Sequence, residues 1–102
     1  MSQKGYIVAE VKVRDVAAFE RYRVFSAAAV EQYGGRFLIR GGAAEVLEGP
    51  WNPPQRLIVV EFDSLEQAKR FYSSDEYQAA RKLRENAGEM NMLAVTGVDN
   101  LV

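Results

Sequence analysis

Apolar and polar positions alternate from Tyr6 to Val13 (YIVAEVKV), with Ile7, Ala9, Val11 and Val13 on one side and Tyr6, Val8, Glu10 and Lys12 on the other. That period of two predicts a β-strand. Asp15 stands where a helix N-cap belongs, and from there to Tyr33 the period lengthens. Phe19, Tyr22, Ser26, Ala29 or Val30, and Tyr33 share one helical stripe, and Gly34 suits the left-handed residue that ends such a helix. RFLIR (36–40) and AAEVLEG (43–49) predict two short strands joined by Gly41-Gly42 as a tight hairpin. PWNPP (50–54) has too much proline for a helix or a central strand and predicts a loop. RLIVVEF (56–62) is the most apolar run and predicts a central strand.

Ser64 with Gln67, and Ser73 with Glu76, each form the spacing of a capping box, which predicts a helix broken near Ser73-Ser74. Gly88 is placed to close the second piece, and MNMLAVTGV (90–98) predicts a last strand. The order reads strand, helix, strand, strand, helix, strand. That is the split βαβ, ferredoxin-like arrangement of an α+β protein, an antiparallel sheet with helices on one face, in a single domain over residues 1–102.

Both faces of these strands are apolar. Leu57 and Val59 oppose Ile58, Val60 and Phe62; Leu38 opposes Phe37 and Ile39; Met90, Met92 and Ala94 oppose Leu93 and Val95. A sheet with one face in water alternates more cleanly than this, and a large exposed apolar patch marks an interface. The pattern therefore predicts a homodimer formed through the sheet faces, a dimeric α/β-barrel; the plainer alternative is a monomer with an apolar open face.

Composition narrows the function classes. The chain has 102 residues, 13 Lys+Arg against 14 Asp+Glu, and neither cysteine nor histidine. The net charge of −1 lacks the basic excess of a domain built for nucleic acid. Without Cys there is no disulfide framework and no thiolate nucleophile or metal site. Without His the commonest metal ligand and the default neutral-pH general base are missing. Any catalysis then has to use carboxylates, Tyr, Lys, Arg or Ser, or a bound cofactor's own chemistry, and the expectation is no metal and no cofactor. No apolar run approaches the ~20 residues that span a bilayer, and the N-terminus moves into a strand pattern without a signal-peptide core, so a soluble, cytoplasmic chain is expected.

The stretch YGGRFLIRGGAAEVLEGPW (33–51) raises the question of what Arg40 does beside Gly41 and Gly42. With Phe37 and Ile39 toward the helices, simple alternation puts Arg36, Leu38 and Arg40 on the opposite face, with Arg40 at a cavity mouth between two sheets. The backbone N–H groups of Gly41-Gly42 would then assist the guanidinium in holding a carboxylate or enolate. A hairpin turn with Arg40 in an ion pair is the alternative. An RGG-type RNA reading fails, because no repeated RGG units or flexible basic tail exist. Glu61 is a charge within a strand otherwise built to be buried, so it is either an acid/base with a shifted pKa or half of a Glu–Arg bridge; Glu10 raises the same question. Tyr77, Arg81 and Arg84 share a helical face, either as part of an anion site or as a solvated basic face. Trp51 either caps the barrel mouth, clamps across the dimer, or pins its own loop.

The ordered series FERYR, YGGRFLIRGG, EVLEGPW, RLIVVEFDSLEQAKRFYSSDEY and the later LR resembles the domain of unknown function 1330 family, within the dimeric α/β-barrel superfamily, over Tyr6 to about Val98. The resemblance implies a ferredoxin-like protomer and a dimer. Its superfamily includes cofactor-independent monooxygenases, muconolactone isomerase-like enzymes, haem proteins and stress-responsive barrels, and the lack of His sets this chain apart from the haem-ligating ones. Ser74, Tyr77 and Arg84 match the family's recurring serine, tyrosine and arginine, and Tyr22 and Tyr72 also match. The expectation is a homodimer binding a small organic anion. In that reading Arg40 with Gly41 and Gly42 orients the ligand, Glu61 acts as acid/base, and Tyr77 with Arg84 closes the site. Any reaction would be cofactor-independent isomerisation or oxygenation; the alternative is a non-catalytic or structural barrel.

Overall fold

The computed structural model describes residues 3–53 and 55–98. The N-terminal reading of Met1 and Ser2 and the loop assignment of Pro54 lie outside the described residues. The elements run β1 (Gly5–Val13), α1 (Val16–Gln32), β2 (Arg36–Arg40), β3 (Arg56–Phe62), α2 (Leu65–Ser73), α3 (Asp75–Leu83) and β4 (Gly88–Thr96). The strands form one sheet in the order β2-β3-β1-β4, and each neighbouring pair is antiparallel. With α2 and α3 taken as one broken helix, this is the expected βαββαβ order.

The helices start and stop where short polar side chains and glycines dictate. Asp15 caps α1 by accepting from Ala18 N at 3.1 Å. At the other end Gly34 (φ +78°) lets its own N–H reach Glu31 O and that of Gly35 reach Val30 O, the paired bonds of a Schellman ending. Ser64 caps α2 through Gln67 N, but the Gln67 side chain does not return to close a capping box. Its Nε2 donates instead to Tyr33 O at 2.6 Å, tying the start of α2 to the end of α1. The break between α2 and α3 falls at Ser73-Ser74 as expected, but Ser74 and not Ser73 is the cap. Ser74 Oγ accepts from Tyr77 N, while Ser73 Oγ donates back to Lys69 O. Helix α3 also ends before Gly88: Asn86 takes the left-handed turn (φ 65°) and Gly88 opens β4.

The core lies between the sheet and the helices. Ile7, Val11, Val60 and Phe62 from the sheet meet Phe19, Tyr22, Ala29 and Val30 of α1 and Ala68, Phe71, Tyr77 and Ala80 of α2 and α3. Phe62 is fully buried, and its ring lies 5.2 Å from Phe71, which lies 4.8 Å from Tyr77. Such tilted aromatic pairs add about 0.5–1.5 kcal/mol each beyond the area they bury.

Two expectations about the middle of the chain are corrected. Gly41-Gly42 does not turn a hairpin into AAEVLEG, because residues 43–49 form no strand. The partner of β2 is β3, reached by a long connection between Arg40 and Arg56. The polar and acidic residues within AAEVLEG and the absence of a facing strand leave Leu47 96% exposed. The second correction is a register shift in β2. Phe37 lies opposite Val60 and Ile39 opposite Val59, so Leu38 is an extra residue. A bulge of this kind inverts the faces of all that follow it. Ile39 joins the open face, and Arg40, opposite Ile58, turns to the helix side instead of away from it.

On the open face Glu61 is engaged. Arg36 Nε donates to Glu61 Oε1 at 3.0 Å and Tyr6 Oη donates to Oε2 at 2.8 Å. The hydrogen bonds from Arg36, then that from Tyr6, hold the Glu61 carboxyl below the usual carboxylate range. Glu10 accepts a weaker bond from Asn91 at 3.2 Å. The same face carries Val8, Leu57 and Val59 half-buried, with Ile39, Leu93 and Val95 exposed.

Three glycine substitutions separate these backbone demands. A Cβ on Gly88 would collide with the Lys12 carbonyl across the β1–β4 pair, so Gly88→Ala should cost about 2 kcal/mol or more of unfolding free energy. Gly41→Ala meets only its left-handed φ of +78° and should cost about 1–2 kcal/mol. Gly42→Ala faces open space and should stay within about 0.5 kcal/mol of wild type, all read by urea unfolding. A carboxyl whose folded pKa is lowered contributes stability above its unfolded pKa and loses it as pH falls through the folded value. Glu61→Gln should therefore flatten the acid side of the stability curve and leave its slope near neutrality unchanged, measured by unfolding at a series of pH values.

Candidate functional site

A cavity of about 280 Å³ lies within the chain, between the sheet and the helices. Its walls are the helix-facing side chains of β1, β3 and β4 (Ile7, Ala9, Ile58, Val60, Met90, Met92) and the stripe of α1 from Phe19 to Val30. The period of two and the helical stripe build these walls, since each element turns its apolar side to the same space. The flexible Met90 and Met92 fill its β4 side.

The mouth is cationic. Arg23, Arg40 and Arg56 all line the cavity. Arg56 reaches it by strand alternation, two residues before Ile58, and Arg23 by standing one turn after Phe19. Glu20 takes up part of this charge, at 3.1 Å from Arg23 and 3.9 Å from Arg56. Arg40 has no carboxylate within salt-bridge distance among the described residues. Its guanidinium lies over the Phe37 ring, 4.3 Å from the centroid, a cation–π contact that orients the group without neutralising it. Arg56 sits similarly over Phe19 at 5.4 Å. Gly41 borders the cavity, but its N–H donates to Leu57 O at 2.8 Å and is not free for a ligand. Gly42 is exposed and does not border the cavity, so the expected glycine N–H cradle is not formed at this turn.

At the inner end two tyrosines from different helices meet. Tyr22 Oη and Tyr77 Oη lie 2.8 Å apart, both buried and both on the cavity wall. Burial, the neighbouring Tyr77 oxygen and the bond between them push the Tyr22 hydroxyl well above the ordinary tyrosine value. It is therefore a neutral hydrogen-bonding group and no base. Tyr77 is placed by the Ser74 cap, which fixes the first turn of α3. Arg84, one residue past α3, lies behind the pair rather than in the cavity, with Nη2 3.4 Å from Tyr77 Oη and its guanidinium 5.3 Å from the Tyr22 ring centroid. Tyr77 and Arg84 thus form the closed end of this space and not a cover over it.

The structure brings Arg40, Gly41, Tyr22 and Tyr77 to one cavity, with Arg84 behind. It places Glu61 on the opposite face of the sheet, so Glu61 and Arg40 do not share a site. Ser74 is committed to its cap, its Oγ donating to Phe71 O and accepting from Tyr77 N. Tyr72 lines a shallow neighbouring depression with Lys69, Ser73 and Leu93, and its ring lies 5.4 Å from Tyr77. Arg81 is exposed, and Trp51, 63% exposed, is not among the residues lining the Arg40 cavity. Sequence reasoning missed Arg23, Arg56, Phe37 and the two methionines as wall residues. Arg56 was detectable as a charge in phase with Ile58, Val60 and Phe62.

Among the described residues no group of three or more Asp or Glu is placed to hold a metal ion, and no helix is long and apolar enough to cross a membrane. The fold has several solved counterparts. A protein of unknown function from Rhodopseudomonas palustris is 17% identical with a TM-score of 0.75, over 97% of this chain and 85% of its own. A dimeric ferredoxin-like protein of unknown function from Bacteroides fragilis is 14% identical with a TM-score of 0.62, over 91% and 95%. A Nitrosomonas europaea protein provisionally described as an antibiotic biosynthesis monooxygenase is 15% identical with a TM-score of 0.66, over 98% and 95%. At these identities the likeness is one of fold. No curated protein matches the sequence. The family comparison covers nearly the whole chain: residues 4–98 match the model of Domain of unknown function (DUF1330), and the chain belongs to that family.

Proposed function

We propose that the chain is a homodimer that binds a small organic anion with an apolar body in the cavity of each protomer. The observation that carries the reading is Arg40, a guanidinium without a carboxylate partner among the described residues, set at the mouth of an apolar cavity that ends in two tyrosine hydroxyls. The volume supports a ligand of one ring or a short branched chain with substituents, since about 150 Å³ already holds a benzene molecule. The carboxylate of the ligand would lie at Arg40 and Arg56, its body against Phe19, Phe37, Ile58 and Met92.

No Asp or Glu lines this cavity among the described residues, and Glu61 is held by Arg36 and Tyr6 on the other face. The geometry therefore supports binding without a protein carboxylate as base, and gives no support to an isomerase in which Glu61 moves the proton. Oxidation of a ligand that itself activates oxygen needs no such base. The provisional monooxygenase descriptions of the Nitrosomonas europaea and Caulobacter crescentus structures make oxygen uptake with bound ligand the first activity to measure.

The dimer rests on the open face, where Ile39, Leu93 and Val95 are exposed beside Val8, Leu57 and Val59. Solved structures from Bacteroides fragilis and Thermobifida fusca with this fold are described as dimeric.

Two measurements test these parts separately. Light scattering at micromolar concentration should give twice the chain mass for wild type and a lower mass for Leu93→Lys; a monomeric wild type overturns the dimer. Calorimetry or thermal shift with benzoate-type acids against their neutral amides should show a preference for the acid. Arg40→Ala should reduce that preference about five- to tenfold, roughly 1–1.4 kcal/mol for an exposed charge-assisted bond. Equal binding of acids by wild type and Arg40→Ala sinks the anion site.

A further inference from the structure

Arg84 is a charge that the fold has not neutralised. Among the described residues no carboxylate lies within salt-bridge distance of it, and its buried Nε has no hydrogen-bond partner. What the guanidinium faces is the tyrosine pair: Nη2 donates to Tyr77 Oη at 3.4 Å, and the group lies over the Tyr22 ring. Half-burial keeps such a charge from being screened as a surface arginine would be.

The donors and acceptors in this chain can be counted. A guanidinium only donates, and each hydroxyl has one proton to give. Arg84 gives to Tyr77, and the two tyrosines share a single bond at 2.8 Å. Two hydroxyl protons and one shared bond leave one O–H with no acceptor among the described residues. Both tyrosines border the cavity, so that proton is available to whatever occupies it. Bonds aligned in one direction polarise one another, and a cation at the start of the line strengthens the last donor.

We propose that the free hydroxyl of the Tyr22–Tyr77 pair, backed by the charge of Arg84, receives a second oxygen of the ligand. This deepens the anion-site reading and rests on it. The ligand class is then an acid with two ends: a carboxylate at Arg40 and, across an apolar spacer, a carbonyl, enolate or phenol oxygen at the tyrosines. An enolate or phenolate held there is stabilised by preorganised donors, and such electron-rich anions are the ones that react with oxygen unaided. Arg84 acts through the tyrosines and is a positioning residue.

A coloured pair of probes reads this directly. Para-hydroxy-meta-nitrobenzoate carries both oxygen ends and absorbs in the visible when its phenol ionises; meta-nitrobenzoate lacks the hydroxyl. With wild-type protein in excess, the bound phenol should ionise about one pH unit below its value in buffer, a tenfold preference for the phenolate. The double variant Tyr22→Phe with Tyr77→Phe should abolish the shift, Arg84→Met should reduce it, and Arg84→Lys, which keeps the charge, should restore most of it. Meta-nitrobenzoate should bind these variants within about twofold of wild type while binding Arg40→Ala more weakly. A bound probe that ionises as it does in buffer, or a shift that survives the double phenylalanine variant, overturns the oxyanion site and leaves the Arg40 site standing. If neither probe binds wild type, the anion-site reading fails and this inference falls with it. Should Arg84→Met not fold, the phenylalanine variants decide the matter, since each removes one oxygen and no packing.

Discussion

A strand presents its side chains with a period of two, so one extra residue in β2 reverses the faces of everything after it. Leu38 is that residue. Under strict alternation Arg40 would share a face with Arg36 and Glu61, and the helix-side cavity would have Ile39 at its rim instead of a guanidinium. With the bulge, Phe37 and Arg40 stand on the same side and stack. Leu38 and Ile39 are both left exposed, which adds apolar surface to the other side. The charge at the cavity mouth and the extra grease on the open face have a common origin.

The sheet consequently separates two kinds of work. Its helix side holds an aromatic series from Phe62 through Phe71, Tyr77 and Tyr22 to Phe19, four of whose rings line the cavity or its inner wall with Phe62 behind them. Its other side holds polar pairs that are already satisfied, Arg36–Glu61–Tyr6 and Glu10–Asn91, among apolar residues that are not. Because these pairs are internal to the chain, the exposed surface around them is left apolar, at Ile39, Leu93 and Val95.

Much of the architecture was legible because it rests on local rules. Asp15, Gly34 and Ser64 mark element ends through their own side-chain or backbone chemistry, and alternation in β1 and β3 sorts core from surface. The two-helix stripe around Tyr22 and Tyr77 was legible in the same way. What was not legible was non-local. A bulge is a mismatch between two strands, so nothing within RFLIR reveals it. The strand partner of β2 depends on where β3 folds back, so Gly41-Gly42 mimicked a hairpin that the chain does not make. Glu61 was open to two readings, an acid/base or half of a Glu–Arg bridge, and the bridge to Arg36 with the added bond from Tyr6 shows only in the pairing across strands. Arg84 matched a family position, while its lack of a carboxylate partner became visible only in three dimensions.

The long connection between β2 and β3 begins immediately after Arg40 and ends immediately before Arg56. Both of its anchors are therefore rim residues of the cavity, while Leu47 and Trp51 within it bury little. A segment so lightly held can change in length or sequence with little effect on the core. The two guanidiniums at its ends nonetheless stand directly beside any such change. The two rim charges of the cavity are thus spaced by a segment that lies outside the core.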